Sequence, residues 1–139
     1  MYMKKMFIYI LLLFLFFLSS CLSEIRDLGA ENLNEKVVSA YIIDVTENTY
    51  KYDIKIEIKD LNDFLNEFSR ITYEKLFGDP EGCEGICIML VYENDNYEIF
   101  DKTYIVEMDS EGNLVNWYNF HVVEVEFYEK LISKYYQIN

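Results

Sequence analysis

A strict alternation of apolar and charged residues runs from Tyr50 to Ile58, and it narrows the possible folds more than any other feature of this sequence. A period of two is the signature of a β-strand that has one buried face and one solvent-facing face. The apolar face carries Tyr52, Ile54, Ile56 and Ile58, and the other face carries Lys51, Asp53, Lys55 and Glu57. A strand of this kind needs a neighbouring strand and a layer over its apolar face, so the chain must contain a sheet.

Five further segments are predicted to be strands. Val37 to Val45 and Ile86 to Glu93 are apolar on both faces, which is typical of central strands. Residues 46–49 form a polar hairpin loop before Tyr50. Later strands are predicted at Tyr97 to Phe100, at Thr103 to Met108 after a break at Asp101-Lys102, and at Leu114 to Val122.

Two segments have the three-four spacing of amphipathic helices. The first begins at an N-cap, Asp60, with Asp63 in the capping-box position, and its apolar side continues from Leu61 to Leu76 before Gly78 and Pro80 end it. The second runs from Glu124 to Tyr136. Short polar turns force antiparallel pairing, and two helices cover one face only. We therefore expect an α+β fold, a two-layer sandwich with a mostly antiparallel sheet of five to six strands and two helices on one face.

The first twenty-one residues predict the cellular location of the protein. Lys4 and Lys5 precede a run from Met6 to Leu18 that is apolar apart from Tyr9, and the run is shorter than the roughly twenty residues of a spanning helix. This is the pattern of an export signal.

The segment Leu18-Ser19-Ser20-Cys21 that follows resembles the lipobox of bacterial lipoprotein signal peptides. The resemblance implies that Cys21 receives a diacylglycerol, that the leader is cut before it, and that further acylation such as palmitate anchors the protein to the extracytoplasmic face of the cell membrane. Residues 1–20 are then the signal peptide, 21–36 a lipidated tether and 37–139 a single α+β domain. The alternative is an ordinary secretory signal in which Cys21 is incidental.

The stretch from Tyr92 to Tyr135, with its Tyr-Glu-Asn-Asp-Asn-Tyr-Glu-Ile hairpin and its final Glu-Phe-Tyr-Glu-Lys-Leu-Ile helix, is similar to small uncharacterised lipoproteins of low-GC Gram-positive bacteria. That type has no assigned activity, so the resemblance implies a location and no chemistry.

Charge excludes one class of partner. Removal of residues 1–20 takes away Lys4 and Lys5, so 12 − 2 = 10 basic residues face 25 acidic ones and the mature net charge is −15. Nucleic-acid binding rests on neutralising phosphates with Lys and Arg, so nucleic acid is not an expected partner. The expected partners are the membrane, through the acyl chains on Cys21, and an unidentified protein, peptide or small ligand.

Cys83, Cys87 and His121 form the other candidate site. A Cys-x-x-x-Cys with a distant histidine is similar to the pattern of membrane copper chaperones with a thioredoxin fold, and two thiolates with one imidazole suit copper. This chain has Ile88 where those proteins have proline, and it lacks their alternating strands and helices. Without a metal, Cys83 and Cys87 are either a local disulfide or two free thiols.

No enzyme signature is present. The sequence has no Gly-x-Ser-x-Gly, no His-Glu-x-x-His and no nucleotide-binding loop, and a single histidine rules out most triads. Carboxylates are plentiful, but no acid-base pair can be chosen among them. We therefore expect a lipoprotein without a cofactor that acts as a non-enzymatic binding or protective protein, with a copper-binding or thiol-redox protein as the alternative.

Overall fold

The structure is a computed structural model, and it describes residues 25–27, 36–46, 50–78 and 82–136, the first three through their backbone alone. The predicted leader, the lipobox and Cys21 lie outside the described residues. In chain order the elements are β1 (Ile25–Asp27), β2 (Val37–Val45), β3 (Tyr52–Glu57), α1 (Leu61–Phe68), β4 (Thr72–Lys75), β5 (Gly85–Tyr92), β6 (Tyr97–Phe100), β7 (Ile105–Met108), β8 (Leu114–Tyr118), β9 (Phe120–Val122) and α2 (Val125–Tyr135).

A six-stranded sheet forms one layer, with strand order β3-β2-β5-β6-β7-β8. Every neighbouring pair is antiparallel. The register sets Ile42 of β2 between Ile56 of β3 and Ile88 of β5, which aligns apolar side chains across three strands. Both helices pack on this face, so the predicted α+β sandwich is confirmed.

Aromatic side chains fill the space between the helices and the sheet. The Phe68 ring of α1 lies 5.6 Å from the Phe64 ring and meets the Phe100 ring of β6 edge-on at 5.0 Å. Tyr128 of α2 is buried, and its hydroxyl donates to the Phe100 carbonyl oxygen at 2.9 Å. Helix α1 begins as predicted, because the Asp60 side chain accepts from the Asp63 amide.

The opposite face of the sheet is also buried at its centre. Ile43, Cys87, Met89, Ile99 and Val106 form a second apolar cluster there. Strands that are buried on both faces read as continuous apolar runs, which explains why β2 and β5 do not alternate.

A second, three-stranded sheet was not predicted, and its order is β1-β4-β9. Its middle strand, β4, was predicted as the second half of the first helix, and that prediction was wrong. Helix α1 ends at Ser69, where the amides of Ser69 and Ile71 bond back to Leu65 and Phe68. The following segment contains Thr72 and Tyr73, which favour strands, and β1 and β9 provide it with a partner on each side.

Three other boundaries differ from prediction. Asp101 and Lys102 belong to a hairpin turn between β6 and β7, with the Asp101 amide bonded to the Tyr104 carbonyl, and not to a break within one strand. The predicted last strand is divided at Asn119 into β8 and β9, which belong to different sheets. Within the segment 21–36, Ile25–Asp27 pair with β4 as strand β1. In the described part of the chain, no helix is long and apolar enough to cross a membrane.

Candidate functional site

The two edges of the six-stranded sheet differ in charge. Strand β3 forms one edge and presents Lys51, Asp53, Lys55 and Glu57 along and beside it. Strand β8 forms the other edge and lies in a run, Gly112 to Val123, that has no Asp, Glu, Lys or Arg. Natural sheets protect their edges with charged side chains. Only the β3 edge has this protection.

Large apolar side chains are exposed along and beside β8. Leu114, Val115 and Trp117 are exposed on the strand, and Leu76 and Phe77 are exposed just after β4. We call these five residues the edge patch. The pairing of β7 with β8 shifts register at Val115, which forms a bulge. A bulge bends its strand, so the straight part of this edge runs from Asn116 to Asn119.

The backbone of β8 faces solvent on its outer side. The Trp117 amide donates to the Asn116 side-chain oxygen at 2.9 Å. Two residues further along, the Asn119 carbonyl accepts from the Leu76 amide at 2.9 Å. Backbone groups two residues apart in an extended strand point to the same side. Strand β4 therefore covers the outer side of β9 and ends at the point where the outer side of β8 begins.

Asn119 stands at this boundary. Its side-chain nitrogen donates to the Gly78 carbonyl at 3.3 Å, while its side-chain oxygen is buried and has no hydrogen-bond partner among the described residues. An unsatisfied buried acceptor is rare in folded proteins and marks a place where a donor is expected. The edge patch therefore lies beside an acceptor that the described residues leave unsatisfied.

Cys83 and Cys87 lie together. Cys83 and Cys87 are buried free thiols in the second apolar cluster. The Cys87 thiol donates to the Gly85 carbonyl at 3.5 Å, and its interaction with Cys83 is the largest of the effects that raise its pKa, ahead of burial. Both side chains therefore lie on the same side of the six-stranded sheet.

One buried carboxyl group lies beside the thiols. Asp101 is buried, and burial raises its pKa above the usual range although the Glu84 and Lys102 amides donate to it. Its charge also contributes to the raised pKa of Cys87. Sequence reasoning placed Asp101 in a loop and did not connect it with the cysteines, because only the β6–β7 hairpin brings it to Cys87.

His121 does not join the two cysteines. It lies on β9 opposite Glu74 of β4, in the three-stranded sheet, and its neighbours Phe120 and Val122 pack into the helix-side core. Within the described ranges, no group of three or more His, Cys, Asp and Glu side chains is placed to hold a metal ion. The structure thus assembles two of the three ligands of the copper alternative.

A pair of carboxylates faces each other across two strands. Glu98 of β6 lies opposite Glu107 of β7, and like charges in this position destabilise a sheet. The Tyr92 hydroxyl donates to Glu98, and the Tyr118 hydroxyl donates to Glu107 at 3.1 Å. These hydrogen bonds give both carboxylates a partner within the fold, so the pair is not evidence for catalysis.

One feature of the sequence indicates the exposed β8 edge, although it was not used to predict the strands. The uncharged run from Gly112 to Val123 is the longest one after the leader, in a chain in which 27% of residues are charged. Searches with this chain found no matching protein-family model, no matching curated protein and no matching solved structure. The function of this protein is therefore inferred from the geometry of the chain itself.

Proposed function

We propose that this chain is a lipid-anchored protein of the extracytoplasmic membrane face that binds an extended polypeptide segment along the outer side of β8. The anchoring is supported by the leader and by Leu18-Ser19-Ser20-Cys21. The binding is supported by one observation above all: β8 is an uncharged edge strand with an exposed patch, whereas the other edge of the same sheet is charged.

Strand addition explains what the edge patch offers. An extended peptide gains backbone hydrogen bonds from an open edge, and its alternate side chains contact the side chains beside that edge. Trp117 and Phe77 are aromatic anchors of the kind that dominate binding energy at interfaces. A bound strand would run in line with β4 and begin where Leu76 meets Asn119.

Charge selects the chemistry of the bound segment. The edge itself is neutral, but Asp109 and Glu111 lie in the turn that leads into β8, and the whole chain has a net charge of −13. A segment with alternating apolar residues and basic ends complements this surface, whereas an acidic segment is repelled. We therefore propose an apolar, basic-ended strand as the occupant.

Trp117 provides the test, because it is the only tryptophan of the chain. The membrane-extracted protein in mild detergent is titrated with the peptide Lys-Thr-Val-Thr-Val-Thr-Lys while tryptophan emission is recorded. We expect a saturable blue shift as Trp117 leaves water. The same peptide with glutamate ends should bind at least about tenfold more weakly, since each 1.4 kcal/mol of lost attraction is a factor of ten. A peptide with a central proline should not bind, because proline cannot donate to the edge.

A matched pair of valines serves as the control. Val115 and Val38 are 62% and 52% exposed, and each lies at a register shift of its strand. Val115→Lys should weaken peptide binding about tenfold or more, and Val38→Lys should leave it unchanged. Equal effects of the two changes, or equal binding of the proline peptide, would overturn the proposed site. A blue shift that depends on protein concentration without peptide would instead identify a second copy as the occupant and overturn the peptide.

A thiol-redox activity is the second candidate function. It is supported by the contact between Cys83 and Cys87, and not by His121, which lies in the other sheet.

A further inference from the structure

We infer that Cys83 and Cys87 form a reversible dithiol–disulfide couple in which Cys83 attacks first and Asp101 accepts the proton of the attacking thiol. The inference deepens the second candidate function and relies on the proposed extracytoplasmic location only for oxidising surroundings. It is independent of peptide binding at β8.

The two thiols stand in different backbone surroundings. Cys83 lies in irregular backbone between Gly82 and Gly85, which have φ values of +98° and +78°, and its neighbour Glu84 is exposed. Cys87 lies inside β5, opposite Ile43 of β2, in the middle of the sheet. Glycines at positive φ are the positions where a chain rotates at least cost. A reagent therefore reaches the Cys83 sulfur by displacement of a short loop, whereas Cys87 lies on a paired strand in the middle of the sheet.

The electrostatic surroundings favour the same order. The effects that raise the pKa of Cys87 are, from the largest down, its hydrogen bond with Cys83, burial, and the negative charges of Asp101 and Asp44 among others. Thiolate is the nucleophilic form, so Cys87 is a poor first nucleophile. The other titratable groups that face this site are Tyr50, which interacts with Cys83, Tyr128, which interacts with both thiols, and Lys102, which interacts with Asp101.

Asp101 lies beside the short segment that carries Cys83. Its carboxylate accepts from the Glu84 amide, one residue from Cys83, and burial makes it a stronger base than an exposed aspartate. A base with a raised pKa near the reacting thiol is the arrangement that general-base catalysis requires. Asp101 acts here through the thiols and does not itself form a bond to sulfur.

The reaction balances with a low-molecular-weight disulfide as the oxidant. Asp101 takes the Cys83 proton, the Cys83 sulfur attacks one sulfur of the disulfide, and that bond breaks to release one thiol, which leaves with the proton from Asp101. Cys87 then attacks the mixed disulfide at the Cys83 sulfur, the sulfur–sulfur bond to the external thiol breaks, and the Cys87 proton passes through water to the leaving sulfur, which departs as the second thiol. The protein loses two electrons and two protons, and the external disulfide gains both.

The test uses the full-length chain with Cys21→Ser, so that Cys83 and Cys87 are the remaining thiols. The reduced protein is incubated with oxidised glutathione over a pH series and quenched with an alkylating agent. Its mass is then measured by intact-protein mass spectrometry. We expect a product that carries neither glutathione nor alkyl groups. Cys87→Ser should trap glutathione on Cys83, whereas Cys83→Ser should leave Cys87 reduced.

Asp101→Asn tests the proton acceptor. It should slow oxidation at least about tenfold, the lower part of the range for a positioned base, and it should change the pH profile of the rate. Glu84→Gln, which neutralises an exposed acid beside Cys83, is the control and should keep both. An unchanged rate and pH profile in Asp101→Asn would remove Asp101 from the reaction.

Two results would contradict the proposed order of attack or the couple itself. Glutathione trapped on Cys87 in Cys83→Ser, with none trapped on Cys83 in Cys87→Ser, would reverse the order. Thiols that react in urea but never in the folded protein would remove the couple altogether. The reaction mixture contains no peptide and no membrane, so either failure is separate from a failure of the proposed binding function.

Discussion

Replacing Phe68 by alanine should destabilise the fold far more than the same change at Phe77. Phe68 is 0% exposed and its ring contacts those of Phe64 and Phe100, whereas Phe77 is 100% exposed. Emptying a buried phenylalanine site costs about 3 to 5 kcal/mol, and each lost aromatic pair adds about 0.5 to 1.5 kcal/mol to the loss from burial alone. We therefore expect about 4 to 5 kcal/mol for Phe68→Ala.

Phe77→Ala removes the same atoms from water-exposed surface, so its effect should stay within about 0.5 kcal/mol. The measurement is urea unfolding followed by far-UV circular dichroism. With a denaturant slope of about 2 kcal/mol per molar, Phe68→Ala should lower the midpoint by about 2 M and Phe77→Ala by about 0.25 M or less. Equal midpoints for the two variants would show that the helix-side core is wrongly assigned.

Three further predictions concern single residues. Cys21→Ser should leave the fold intact but prevent acylation and leader removal, so that the precursor accumulates; equal incorporation of labelled palmitate into wild type and variant would contradict the anchor. Gly85→Ala should lower the free energy of unfolding by about 1 to 2 kcal/mol through backbone strain alone, since φ is +78° and a new Cβ meets nothing within 4 Å. Gly85→Asn should lower it less, and thermal melting of the two variants checks this order. The pKa of Asp101 is raised in the native state, so its contribution to stability is present at low pH and is lost as pH rises through that pKa. The urea midpoint of wild type should therefore fall relative to that of Asp101→Asn over this pH range. Midpoints of the two proteins that change in parallel with pH would contradict the raised pKa.

The strands of the six-stranded sheet and the second helix could be predicted from the sequence because their signals are local. The β3 alternation, the apolar runs of β2 and β5, and the start of α1 at Asp60 each depend on a few adjacent residues. The faces of β3 follow the periodicity only in part, because Ile56 and Ile58 pack with the helix-side core, whereas the register shift at Asp44 and Val45 places Tyr52 with the second apolar cluster.

The division of the first predicted helix could not be predicted, because it depends on distant strands. The apolar spacing continues past Phe68, but β1 and β9 provide hydrogen-bond partners that turn Thr72–Lys75 into a strand. The split at Asn119 has the same origin, since β8 pairs with β7 and β9 pairs with β4.

The candidate sites divide in the same way. The local pair Cys83 and Cys87 was found from its spacing, but Asp101 joins it only through the β6–β7 hairpin. The edge patch needed the strand order, because no local signal shows that β8 is the last strand of its sheet.

The uncharged β8 edge also determines how this protein avoids association with its own copies. On the proposed anchor, copies of this protein share a plane, so their edges meet far more often than those of freely diffusing molecules. Because β8 carries no charged residue, the repulsion between copies comes from the rest of the chain, whose net charge is −15 after the predicted removal of residues 1–20. That repulsion acts over about 8 Å at physiological ionic strength. Colloidal stability here is therefore electrostatic, and near the isoelectric point of about 4.4 the segment from Gly112 to Val123 becomes the site from which sheet aggregation starts.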